Sequence, residues 1–333
     1  MKYIFELSKE HNSIPKSEVI SCLSAENIDY AIIEDNQDVL IIDTNTSKIK
    51  EVAERLSFTF FVDKFLFSSP LSTETIKKNA AKNIVEKKGS IAIKYKNRSK
   101  NIDSRPIVKT LAEVYTKNRT VSLEKPDIEI RTLITDSNVY VGIKKTEINR
   151  SLFEERKVQN RPFFSPISLH PKLARALVNL SMVKKGDALL DPFCGTGGIL
   201  IEAALMGINI VGSDIEDKMI DGCKKNLDYY KIKNYKLFCS DIGDINNKLS
   251  KVDAVVTDLP YGKSTTTKGE EMKKLYKRSF ENISKVLKDD GRAVIGLSNK
   301  DMISLAKTHL SLIEQHDFRV HNSLTRYFAF FKK

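Results

Sequence analysis

The feature that most limits how this chain can fold is Asp191-Pro192-Phe193-Cys194-Gly195-Thr196-Gly197-Gly198, a glycine-rich turn where an apolar run gives way to a helical stretch. Glycines there let backbone approach a ligand closely, and such a strand-turn-helix step belongs at the ligand-bearing edge of an open parallel sheet. The C-terminal half agrees. Strand candidates at 187–191, 208–213, 236–240, 254–258 and 293–297 alternate with helical stretches from Leu180 onward, which marks a doubly wound α/β sheet. Leu324 to Phe331 reads as an antiparallel edge strand. The spacing excludes two common phosphate turns. With Gly195 and Gly197 as the first glycines of a dinucleotide fingerprint the third falls at Leu200, and no Gly-Lys-Ser/Thr closes this turn.

An acid before a Gly-x-Gly turn resembles the first motif of class I methyltransferases, where the loop wraps the methionine end of S-adenosylmethionine. The resemblance implies that cofactor, held at Asp191, Phe193, Gly195 and Gly197. The second strand ends Gly212-Ser213-Asp214, leaving a carboxylate at its tip to accept both ribose hydroxyls, with Ile215 beside the adenine. The third ends Ser240-Asp241-Ile242, which places Asp241 for the adenine amino group and adds Ile242 to the cofactor set. Either acid alone is as readily a helix N-cap; two in order after a glycine loop are not.

At the end of the fourth strand stands Asp258-Leu259-Pro260-Tyr261-Gly262. It resembles the (Asp/Asn)-Pro-Pro-(Tyr/Phe) motif of methyltransferases that act on exocyclic base amines. A ring-conjugated amine is a poor nucleophile, so its lone pair must be drawn out of the ring. A carboxylate and a carbonyl that accept its two hydrogens favour the tetrahedral nitrogen. The roles fall to the Asp258 carboxylate, the Leu259 carbonyl, Pro260 fixing the turn and Tyr261 stacking on the base, worth about 1–3 kcal/mol. Leu259 replaces the motif's first proline, which implies a less rigid turn.

The first 60 residues alternate strand and helix signals and read as a small ferredoxin-like α+β unit. A second unit opens with Ser72 or Thr73 as a helix cap, then Ile76, Ala80 and Ile84 on one face and Gly89 as the stop. Its other face is basic. Residues 61–160 carry 21 basic against 12 acidic side chains, while the first 60 carry 6 against 11. Charge concentrated in a middle segment suits phosphate contacts, for which Lys77, Lys78, Lys87, Lys88, Lys94, Lys96 and Arg98 are the candidates. Leu123 to Asp127, leading into a strand that ends Val139-Tyr140-Val141-Gly142, resembles the end of a THUMP domain, an RNA-binding module of tRNA-modifying enzymes.

Arg161 to Arg175 resembles the segment that precedes the cofactor loop in archaeal tRNA (guanine-10 N2) methyltransferases, and Ser323-Leu324-Thr325-Arg326 is similar to that family too. The expected layout is a ferredoxin-like domain (1–68), a THUMP domain (69–146), a linker (147–163) and a class I methyltransferase domain (164–333). The resemblance implies methylation of the exocyclic N2 amine of a tRNA guanosine at position 10, once or twice. Rivals are guanosine 6 of tRNA, a ribosomal RNA guanosine, a DNA adenine methyltransferase and a non-catalytic RNA-binding protein. His170 precedes a proline and reads as structural, and Cys194 as a packing residue. Four scattered cysteines without a Cys-x-x-Cys pair imply no metal, and no apolar run is long enough for a membrane span. Met1 to Glu10 reads as a strand rather than a signal peptide. The expectation is a cytoplasmic enzyme compatible with a monomer, with an activating subunit left open.

Overall fold

The computed structural model describes residues 1–165, 168–261, 270–321 and 324–333. Its first elements are β1 (Lys2–Leu7), α1 (Ile14–Ala25), β2 (Tyr30–Asp35), β3 (Val39–Thr44), α2 (Ile49–Arg55), β4 (Thr59–Pro70), α3 (Thr73–Lys82), β5 (Ile91–Asn97), α4 (Ser104–Tyr115), β6 (Ile128–Ile134) and β7 (Asn138–Glu147). There follow α5 (Ser151–Glu155), α6 (Pro171–Leu180), β8 (Ala188–Asp191), α7 (Gly198–Ala204), β9 (Asn209–Asp214), α8 (Asp217–Tyr229), β10 (Tyr235–Cys239) and α9 (Ile245–Lys248). The last are β11 (Val252–Asp258), α10 (Met272–Val286), β12 (Leu287–Leu297), α11 (Met302–Ala306), β13 (Ser311–His321) and β14 (Leu324–Lys332). They form two compact units, one of residues 1–12, 28–54 and 59–148, the other of 13–27, 55–58 and 149–333.

The first unit is built on one sheet, ordered β2-β3-β1-β4-β7-β6-β5. The long β4 pairs with β1 on one side and β7 on the other, so segments 1–68 and 69–146 share a continuous sheet. Helices α3 and α4 cover part of one face through Ile76, Ala80, Ile107 and Leu111, packed on Ile91 and Ile130. Ser72 caps α3, its Oγ accepting from the Thr75 amide at 3.3 Å. The helix stops at Lys82, well short of Gly89, where the Asn83 side chain donates to the Asn79 carbonyl at 2.9 Å and competes with the helical ladder. Ile84, expected on the buried face, therefore lies beyond the helix and is 71% exposed.

The second unit holds a sheet ordered β10-β9-β8-β11-β12-β14-β13. Its first five strands run parallel. Strand β14 is antiparallel to β12, with β13 outside it, so Leu324–Lys332 is interior where an edge strand was expected. The sequence of β13, SLIEQHDFRVH, lacks the clean alternation that would announce a strand. One face is covered by α6, α7 and α8, the other chiefly by α10. Helix α1 belongs to this unit. The buried Glu18 carboxylate accepts from the Ser57 and Phe58 amides, the Ser57 hydroxyl and Asn179 Nδ2, all between 2.7 and 2.9 Å. Among the described residues no helix is long and apolar enough to cross a membrane.

Candidate functional site

Strands β8, β9 and β11 end at Asp191, Asp214 and Asp258, and Asp241 follows two residues after β10. All four acids line one cavity at the carboxyl edge of the parallel strands. Phe193, Gly195, Ile215, Ile242, Leu259, Pro260 and Tyr261 line it as well. Gly197, at the N-terminus of α7, does not itself line the cavity but shapes the loop that does.

The loop takes its shape from local bonds. Its Cys194 amide donates to Ser213 O at 2.9 Å and its Gly195 amide to Asp214 Oδ2 at 3.0 Å, pinning the turn to the tip of β9. Gly195 and Gly197 adopt φ of 49° and 82°, which favours glycine. At Gly197 space adds a second reason, since a Cβ would lie 2.6 Å from Cys223 Sγ on α8. Asp191 is buried. Its Oδ1 accepts from the Phe193 amide at 3.2 Å and from Thr257 Oγ1 at 2.7 Å, yet burial pushes its carboxyl up to about 7. Burial also raises Asp214, against the backbone donors of Glu216 and Gly195.

The Asp258 turn is held from three sides. Tyr261 Oη donates to Asp258 Oδ1, and Arg326 Nη1 stands 3.5 Å from Oδ2. The Leu259 amide donates to Gly296 O at 3.0 Å, and Tyr276 Oη donates to Pro260 O at 2.9 Å. The Leu259 side chain is fully buried in the core beneath α10, so packing supplies the stiffness a proline would give. Burial raises Asp258, opposed by the Arg326 charge and the Tyr261 hydrogen bond. The Arg326 guanidinium lies 5.2 Å from the Tyr261 ring centroid. Gly262, the last residue of the motif, lies outside the described residues, as do Pro166, Ile167 and Ser323.

Two contributors have no sequence signal. Arg278 of α10 grips both oxygens of Asp241 and both oxygens of Glu270, and its charge is stabilised by the two carboxylates. In a chain with 55 basic residues one arginine carries no mark. Asn226 of α8, fully buried, accepts from the Phe163 amide at 2.9 Å and donates to Phe163 O at 2.7 Å and Thr196 O at 2.9 Å. It thereby ties the stretch that supplies Ser165 to the cofactor loop. Arg326 closes the 323–326 stretch singled out in the sequence, but nothing there marks its pairing with Asp258. His170 caps α6, its Nδ1 accepting from the Lys172 amide at 3.2 Å, and Cys194 is buried in the core.

In the first unit, Lys77 and Lys78 stand exposed on α3, Lys87 and Lys88 on the loop after it, and Lys94 and Lys96 on β5. Ile91 and Ile93 of β5 pack toward α3 and α4, so by strand alternation Lys94 and Lys96 face the opposite side. Lys77 pairs with Glu113 and Lys94 with Glu129, each at 3.3 Å, and Lys87 donates to Asp127 O at 2.8 Å. Arg98 is corrected. Its side chain is 9% exposed and held by Glu6 at 2.9 Å, Asp38 at 2.8 Å and Leu7 O at 2.8 Å, so its charge is spent inside the fold.

A family model described as "RMKL-like, methyltransferase domain" matches residues 159–327. A second, described as "DNA methylase", matches residues 30–225 and stops short of Asp258. The chain is 35% identical over 332 residues to a tRNA (guanine(10)-N2)-dimethyltransferase of Methanothermobacter thermautotrophicus, covering 98% of each. It is 31% identical over 360 residues to the protein of that name from Methanocaldococcus jannaschii, covering 99% of each. Among solved structures, TrmN from Thermus thermophilus superposes with a TM-score of 0.57 at 18% identity over the whole of both chains. SMU.472, solved with SAH, gives 0.55 at 15% identity over 99% of this chain and 97% of its own. At such identities the structures attest the α/β methyltransferase fold alone, whereas the end-to-end sequence matches reach further: this chain belongs to the tRNA (guanine(10)-N2)-dimethyltransferase family.

Proposed function

We infer that this protein methylates the exocyclic N2 amine of a guanosine in tRNA with S-adenosylmethionine as donor, at position 10 and up to twice, as its relatives are named for doing. The observation that carries the reading is the meeting of the glycine loop and the Asp258 turn in one cavity. The lining suits that cofactor. A Cβ at Gly195 would enter open space, the tip of β9 presents a carboxylate to hydroxyls, and Phe193, Ile215 and Ile242 offer apolar surface to a ring. When bound, the cofactor supplies an electrophilic methyl group. Asp191, Asp214 and Asp241 would hold its polar groups.

Asp258 then accepts one hydrogen of the amine and the Leu259 carbonyl the other, which draws the nitrogen lone pair out of conjugation. Asp258 is also placed to take the proton that the methylated nitrogen gives up. Tyr261 offers the ring face not covered by Arg326 to the base. Residues 1–68 and 69–146 are proposed as ferredoxin-like and THUMP domains, of which 13–27 and 55–58 belong to the second unit, with 147–163 as linker and the exposed lysines on phosphates. The enzyme is proposed to act in the cytoplasm as a single chain without metal.

The test is incubation with methyl-labelled S-adenosylmethionine and unmodified tRNA transcript, then nucleoside analysis, with Asp258→Ala in parallel. Labelled N2-methyl- and N2,N2-dimethylguanosine, reduced about a hundredfold or more in the variant, is the expected outcome. A duplex DNA arm addresses the match to a DNA methylase model; label in its adenine and none in tRNA would overturn the reading.

A further inference from the structure

Arg326 is 7% exposed, lies outside the cavity lining, and comes from β14 rather than from any parallel strand that bears the site. The sheet brings it there. Asp258 of β11 is in register with Gly296 of β12, and Gly296 with Phe328 of β14. Arg326, two residues from Phe328, shares its face of the sheet. Gly296 leaves the path open: a Cβ there would sit 2.2 Å from Asp258 Oδ1 and 3.0 Å from the Phe328 ring.

We propose that Arg326 is a positioning residue for methyl transfer, its guanidinium fixing the Asp258 carboxylate and the Tyr261 ring in the arrangement that receives the guanine amine. This rests on the assignment of Asp258 as the amine's acceptor. The two carboxylate oxygens are unequal. Oδ1 takes the Tyr261 hydroxyl, whereas Oδ2 faces Arg326 at 3.5 Å, near enough for charge but long for a hydrogen bond. Oδ2 thus keeps acceptor capacity for the substrate while its negative charge is opposed. Arg326 Nε is buried without a hydrogen-bond partner among the described residues. A buried guanidinium nitrogen without a partner is costly, which fits a group held for its field rather than for packing.

The other titratable groups around Asp258 cannot take over this task. Tyr261 donates one hydrogen bond and carries no positive charge. Tyr276 of α10 is turned to Pro260 O, and Asp191 of β8 is a second acid whose charge works against that of Asp258. Arg326 is the cation that opposes the desolvation of Asp258. Only the ionised carboxylate can accept from the amine and later take its proton.

The experiment measures single-turnover methylation of tRNA transcript by the full chain from pH 5.5 to 9, with cofactor affinity by calorimetry and a thermal melt for each variant. Arg326→Gln removes the charge, Arg326→Lys keeps it. In Arg326→Gln the acid limb of the rate profile should move up by about one pH unit, a loss of about tenfold on that limb that returns at high pH. Arg326→Lys should keep the wild-type limb, and cofactor affinity should be unchanged in both. A uniform loss with the limb unmoved, or no loss, overturns the proposal. Should Arg326→Gln fail the melt, Arg326→Lys decides alone: a limb displaced upward with the charge retained overturns it. Failure of the underlying reading looks different, since wild type would then leave guanosine unlabelled or Asp258→Ala would stay active.

Discussion

Asp191 sits where a charge is least welcome, wholly buried with two hydrogen bonds to one of its oxygens, and its carboxyl is pushed up to about 7. The consequence for stability has a definite sign. The folded chain holds this proton up to about 7, the unfolded chain only to about 4, so folding takes up a proton between those values. Stability therefore falls as pH rises through that window. Asp191→Asn keeps an acceptor for Thr257 and removes the titration. Without cofactor, the variant should match wild type near pH 4 and exceed it by about 2–4 kcal/mol at pH 8, read by urea denaturation. Wild type proving the more stable at pH 8 would mean that the fold itself holds Asp191 ionised. The same substitution should weaken cofactor binding above pH 7, where the carboxylate would meet the ammonium of the methionine end.

At the scale of elements, α8 and the stretch before α6 make a single wall. Gly222 lies inside α8, where alanine would ordinarily be better by about 1 kcal/mol. Here the contact decides otherwise. A Cβ at Gly222 would fall 2.0 Å from Phe163 Cδ1, and Phe163 cannot slide away because Asn226, one turn along the same helix, holds its amide and carbonyl. Overpacking of this kind costs about 1–3 kcal/mol. Gly222→Ala should melt close to or below wild type and bind cofactor about tenfold more weakly by calorimetry; a raised melting temperature with affinity intact would refute the wall. This wall also marks the boundary of what the sequence discloses. The glycine loop and the acids at strand tips are local patterns, and Asp191, Asp214 and Asp258 were legible for that reason. Phe163 with Asn226, Asp241 with Arg278 and Asp258 with Arg326 meet across 63, 37 and 68 residues, brought together by strand order and register. Glu18 and Asn179, 161 residues apart, place α1 in the second unit in the same way. Nothing in either residue's own neighbourhood announces such a contact.

For the whole molecule, the net charge of +12 matters only through the cations that remain available to a polyanion. Lys78 and Lys88 are exposed, while Arg98, close to them in sequence and of the same sign, is consumed by Glu6 and Asp38. Composition counts them alike; the physics separates them. A lysine on a phosphate releases counterions, so Lys78→Ala with Lys88→Ala should weaken tRNA binding and make the dependence of log affinity on log salt shallower by about one to two, with cofactor affinity unchanged. Arg98→Ala should leave that slope as it is. It leaves Asp38 with Lys9 alone, at 3.0 Å, and strands one oxygen of a buried Glu6, which keeps Arg131 at 2.5 Å on the other, so the loss should appear as about 2–4 kcal/mol of stability in the first unit. Salt titrations of tRNA binding alongside urea melts separate the two behaviours. Were Arg98→Ala to flatten the slope at full stability, the buried network would not be where that charge is spent. Were the lysine pair to lower cofactor affinity with the slope intact, the basic surface would serve the catalytic cavity rather than the nucleic acid.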